Sequence, residues 1–122
     1  MELPQITKNN IQDYLNKEEI ILATIQQIMK DFGMFGVEIT FSGDTSQAYN
    51  ELHRQLIDQI SLLLERNYDL LLSVLYQVDI SNKAIEIAQK NMPEFSLIEV
   101  IAHKIIEREL QKVLMRRYFS SL

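Results

Sequence analysis

His53 and His103 are the chain's two histidines, and no cysteine accompanies them. Imidazole is the side chain best suited to move protons or bind metal near neutral pH. With no thiol, disulfides, zinc–thiolate sites, iron–sulfur clusters and cysteine nucleophiles are excluded. His53 falls on the apolar face of a helical pattern. A hydrogen-bonded core histidine is the expectation there, and a small-molecule pocket around it is the alternative. Glu99, His103 and Glu107 recur at i, i+4 and i+8, so they line one side of a helix. A di-iron bundle would need Glu-x-x-His on two helices and two further glutamates, a pattern this chain does not carry. Charge pairing on the helix is therefore expected, without a metal. No G-x-S-x-G elbow is present, and Gly33, Gly36 and Gly43 have neither phosphate-loop nor dinucleotide spacing. The residues point to no catalytic group and no cofactor, hence to a non-enzymatic protein.

These side chains need a scaffold, and the pattern predicts an all-α one. At 122 residues the chain suits a single domain with one ordinary core. Three glycines and two prolines leave few helix breakers. Ile11, Tyr14, Leu15, Ile21, Leu22, Ile25, Ile28, Met29 and Phe32 keep a helical stripe. Glu18 interrupts it, and Asn16-Lys17-Glu18-Glu19 reads as a capping box. This predicts a short helical piece near Lys8–Leu15, a restart, then a helix to Phe32 with Gly33 as its terminating residue.

Residues 33–43 hold all three glycines. Within them Val37, Ile39 and Phe41 alternate with Glu38, Thr40 and Ser42, the period of a half-buried strand. No second strand is evident. The favoured reading for 36–42 is an extended connection packed on helices. Pairing with the same segment of a second chain is the alternative.

A second helix, capped by Asp44 or Ser46, is predicted to reach Arg66, and Asn67 caps the next. That third helix, about 68–78, has apolar residues around its circumference, which predicts the central position. Ser81 caps a short helix to about Asn91, and Pro93 breaks the chain. Ser96-Leu97-Ile98-Glu99 is a capping box opening a last helix to about Arg117. About five helices result. Glu109 and Arg116 fall inside the last helix's apolar stripe, so either they meet partners or the end projects beyond the core.

Net charge is −5, which disfavours nucleic acid as a partner. The five basic residues among 103–122 read as cations near a helix C-terminus. The most apolar run, Tyr68–Ile80, contains Asp69 and Asp79 and is too short to span a membrane, so a cytoplasmic protein is expected. Helices at 68–91 also have the dimensions of a helix-turn-helix, with Asn82, Lys83, Gln89 and Lys90 as DNA contacts. That alternative faces Glu86 and the acidic total.

The runs Leu62-Leu63-Leu64-Glu65-Arg66-Asn67-Tyr68-Asp69-Leu70-Leu71, Leu75-Tyr76-Gln77-Val78-Asp79-Ile80 and Ile105-Ile106-Glu107-Arg108-Glu109-Leu110-Gln111-Lys112 resemble a group of short bacterial helical proteins. The resemblance covers the C-terminal half. That group has no assigned activity, so the resemblance implies no site. It draws attention to Tyr76 and to Asp79, which could cap the next helix or pair with Arg108. The expected function is an interaction or scaffold protein that associates with itself or another protein. Its candidate contacts are Met34, Phe35, Val37, Ile39 and Phe41, together with Leu114, Met115, Tyr118 and Phe119.

Overall fold

Local capping chemistry sets most of the helix starts. In the computed structural model, which describes residues 17–120 and side chains as far as Arg117, the Asn67 side chain accepts from Leu70 N at 3.1 Å. Ser81 Oγ accepts from Ala84 N at 3.1 Å. Ser96 and Glu99 form the reciprocal box: Ser96 N donates to Glu99 Oε1 (3.0 Å) and Glu99 N to Ser96 Oγ (3.2 Å). Each satisfies an N–H that the helix itself leaves orphaned.

Five α-helices and one 3₁₀ turn follow: α1 Glu18–Gly33, the turn Thr45–Gln47, α2 Ala48–Arg66, α3 Tyr68–Val78, α4 Asn82–Asn91 and α5 Leu97–Ser120. The described residues are all-helical apart from connections, and none of their helices is long and apolar enough to cross a membrane. The helical piece expected near Lys8–Leu15 and the Asn16 cap lie outside the described residues. Helix α1 does not stop before Gly33. Gly33 is its last helical residue, and the left-handed position falls at Gly36, φ 74°. There Gly36 N donates to Gly33 O (3.1 Å) and Val37 N to Phe32 O (3.1 Å). Asp44 caps the 3₁₀ turn by accepting from Ser46 N at 3.1 Å, and α2 begins after it.

The central position belongs to α5, not to α3. Helix α5 packs against each of the other four. Val100, Ile101, Ala102, Ile105, Ile106, Leu110, Val113 and Leu114 are all buried. Helix α3 buries Leu71, Val74, Leu75 and Val78 but leaves Tyr68, Leu72 and Tyr76 exposed. Leucine-rich composition on every side of α3 suggested the centre. The position went instead to a longer helix whose buried circumference includes His103, Glu107 and Glu109, polar residues that break the apolar pattern.

The 36–42 segment shows the expected alternation. Val37 and Ile39 are buried, while Glu38, Thr40 and Ser42 face out. It forms no strand ladder; helix side chains take the place of a neighbouring strand. Thr40 N donates to Gln55 Oε1 at 2.9 Å, and Gln55 Nε2 donates to Thr40 O at 2.7 Å. One carboxamide thus makes both bonds that an antiparallel partner residue would make. Ser42 N donates to Glu51 Oε2 at 2.9 Å, and Ser42 Oγ to Glu51 Oε1 at 2.8 Å. The register works because four helical residues rise about 6 Å and two extended residues about 6.6 Å. Gln55→Ala is therefore expected to cost roughly 0.5–1.5 kcal/mol for each of the two bonds. Amide hydrogen exchange at Thr40 should quicken in that variant. Unchanged protection there would show that the carboxamide does not hold the segment.

Candidate functional site

Two polar clusters lie inside the bundle, both built on α5. The first is at the α1–α5 seam. Asp31 projects from the last turn of α1 and is 1% exposed; Glu109 is 0% exposed. Lys112, one turn after Glu109, places Nζ 3.0 Å from Asp31 Oδ2 and 2.7 Å from Glu109 Oε1. It also reaches the Gln77 carbonyl of α3 at 3.5 Å. Gln27 Nε2 donates to Asp31 Oδ1 at 3.0 Å, so Asp31 has partners on both oxygens. Glu109 does not: as a carboxylate, both its oxygens lack a hydrogen-bond partner, the Lys112 contact being close but not directed as a bond.

The electrostatics follow from burial and from neighbours. Burial, then the adjacent Asp31 carboxyl, push Glu109 up to about 8, against the pull of Lys112. Burial alone would raise Asp31 as well. The neighbouring Glu109 carboxyl, Lys112 and Gln27 outweigh it and hold Asp31 below the usual carboxylate range. Lys112 is raised, because its two carboxyl partners outweigh desolvation. Two carboxyls this close do not both ionise readily with one cation between them.

The second cluster joins α2 to α5. Tyr49 Oη lies 2.8 Å from His103 Nδ1. His103 Nε2 faces Glu107 Oε2 at 3.6 Å, too long for a hydrogen bond, and Lys104 Nζ holds Glu107 at 2.6 Å. The tautomer that fits both sides has the tyrosine O–H donating to Nδ1 and the imidazole N–H on Nε2. The His53 ring stacks on Tyr49, centroids 5.4 Å apart, and its Nε2 donates to the Glu99 carbonyl at 3.3 Å. Burial keeps His53 below the ordinary histidine value. Burial first and the Glu107 charge second push Tyr49 up to about 12, so its phenol is not activated as a nucleophile. The cluster is a packed hydrogen-bonded connection between helices.

The sequence-predicted residues are distributed as follows. His53 is the hydrogen-bonded packing residue expected. The Glu99, His103, Glu107 row divides: Glu99 serves the cap, and His103 and Glu107 face each other. Among the described residues no group of three or more histidines and carboxylates is placed to hold a metal. An open groove of about 500 Å³ is lined by Ser42, Asp44, Gln47, Asn50, Glu51 and Arg54, not by His53. Of the expected contacts, Val37, Ile39 and Leu114 belong to the core and are not offered to a partner. Phe35, Phe41 and Met115 are half-buried, and Met34 is exposed. The side chains of Tyr118 and Phe119 lie outside those described. Asn82, Lys83, Gln89 and Lys90 are exposed on α4, with Glu86 exposed among them.

Arg108 pairs with Asp79, Nη2 to Oδ2 at 2.7 Å, and its Nε donates to the Asp79 carbonyl at 3.3 Å. Asp79 does not cap α4; Ser81 does. Asp79 is instead the left-handed residue ending α3, φ 74°, a conformation that Asp tolerates better than most residues. The Asp31–Glu109–Lys112 trio was not singled out from the sequence beyond Glu109's misplaced position on its stripe. Compared with known families, curated proteins and solved structures, the chain matches none.

Proposed function

We propose that the chain is a non-enzymatic helical interaction protein that pairs with a second copy of itself through α3. The observation carrying this reading is the exposed stripe Tyr68, Leu72 and Tyr76, which are 55%, 38% and 87% accessible. Spaced i, i+4 and i+8, they lie along one face of the helix. The pattern Tyr-x-x-x-Leu-x-x-x-Tyr reads the same in both directions. An antiparallel pairing about a twofold axis at Leu72 sets each Tyr68 beside the partner's Tyr76, as an isologous interface requires. Aromatic side chains with a polar tip suit a surface that is wet in the monomer and dry in the dimer. The inward-facing polar clusters and the unactivated Tyr49 support the non-enzymatic part.

A face of one short helix is at or below the small end of specific interfaces, about 1,200 Å² in total. The expected dimer is therefore weak and concentration dependent. Sedimentation equilibrium across a wide concentration range should show monomer passing to dimer. Leu72→Glu, at an exposed position, should stay monomeric with unchanged helical circular dichroism. A wild-type chain that is monomeric at millimolar concentration would remove the proposal.

A further inference from the structure

The α1–α5 seam carries a feature that the pairing surface does not use: two carboxyl groups in contact, both withdrawn from solvent, with one lysine between them. We propose that Asp31 and Glu109 hold a single proton between them at neutral pH, and that losing it loosens α1 from the bundle. The trio is thus a conformational device sensitive to proton concentration.

The geometry carries the first half. Glu109 is fully buried, and as an ionised group it leaves both oxygens without a hydrogen-bond partner. Buried polar atoms are rarely left so. A proton on Glu109 turns an orphan acceptor into a donor for the adjacent Asp31 carboxyl. The trio then sums to neutral, one carboxylate and one ammonium. Without the proton the sum is one uncompensated negative charge inside the seam, which an interior tolerates poorly.

The second half follows from what surrounds the trio. Helix α1 presents Asp31 and the neutral Gln27. On α5 itself stands Lys112. Helix α3 brings the Gln77 carbonyl to Lys112, and beyond its end Asp79 acts weakly on the same lysine while Arg108 ties it at the surface. Besides burial, the influences on Glu109 are those of Asp31 and Lys112, so one ammonium faces two carboxyl groups. The repulsion of a second carboxylate would act across the seam, between Glu109 on α5 and Asp31 in the last turn of α1, so α1 is the element it pushes from α5.

The sign is fixed by linkage. Glu109 is raised from 4.5 to about 8 in the fold. Its contribution is fully present below the unfolded value and is lost as pH rises through the folded one. The loss approaches tenfold in the folding equilibrium per pH unit between those limits. Asp31, held low, contributes above its unfolded value and loses that contribution only in stronger acid. Lys112, held high, contributes below its unfolded value and loses that contribution only in stronger alkali.

The test is urea unfolding of the full chain from pH 4.5 to 9, with and without Glu109→Gln, a neutral near-isostere that keeps a donor. The two curves should diverge with rising pH, the wild type losing up to about a thousandfold relative to the variant by pH 8. Parallel curves overturn the proposal. Infrared spectroscopy of the unmodified protein provides a reading that does not depend on the variant folding. A protonated-carboxyl carbonyl band should be present at pH 7 and gone by pH 9, with amide exchange in α1 quickening over the same interval. No such band at pH 7 overturns the shared proton, and a band lost without change in α1 exchange overturns the loosening.

Discussion

Lys112→Met is expected to cost about 3–5 kcal/mol, the range for removing one partner of a buried ion pair. Against a total stability of about 5–15 kcal/mol for a domain, that is enough to unfold a large fraction of the molecules. The methionine keeps much of the lysine stem's packing, so the loss reports the charge. Asp31 is nearly fully buried and would be left with Gln27 and Glu109 as partners and no cation. Its carboxyl would then favour its protonated form. The deficit should accordingly be smaller at pH 5 than at pH 8, because a group raised by burial retains its contribution in acid and loses it as pH rises. Adding Asp31→Asn, which removes the orphaned charge, should recover part of the loss. Chemical denaturation of the single and double variants at the two pH values checks this. A deficit below 1 kcal/mol at pH 8 would mean that water already solvates the seam.

Phe32→Ala is the second large effect, about 3–5 kcal/mol for emptying a fully buried aromatic site. Phe32 is 0% exposed, and its carbonyl accepts from both Phe35 N (3.0 Å) and Val37 N (3.1 Å). The side chain thus anchors in the core the residue whose carbonyl closes the turn into the 36–42 segment. Hydrogen exchange should quicken at Val37 and Thr40 in addition to the global loss seen in urea. Phe32→Leu, which keeps most of the volume, should recover much of both. Global loss with unchanged exchange at those amides would separate the core role from the turn.

Features set by neighbours in sequence were legible from the sequence alone. Asn67, Ser81 and the Ser96–Glu99 box all cap where their spacing places them, since each satisfies an N–H within three residues. The alternation of Val37 and Ile39 with Thr40 and Ser42 was also readable. What completes that segment was not, because Glu51 and Gln55 look like ordinary surface residues of α2 until the register is known. The same limit hid the main polar site. Lys112 and Asp31 are 81 positions apart, and only the crossing of α1 and α5 brings them together. Glu109 gave the one local sign, a charge on a stripe meant for the core. The central helix was misplaced for a related reason. Composition favoured α3, whereas burial around α5 depends on every other helix closing over it.

That arrangement has a consequence for how the chain is made. Helix α5 comes last of the described helices and is the element on which the other four close. While residues 18–91 emerge from a ribosome, they have helices and caps but no central element to cover. Ile28, Phe32, Leu52, Leu56 and Val74, all fully or almost fully buried in the finished fold, stay available to wrong partners until then. Native burial begins in earnest only when residues 97–114 are free of the exit tunnel. For a nascent chain the vulnerable period thus lasts until α5 has emerged, and a chaperone that shelters apolar helices would hold its substrate until then.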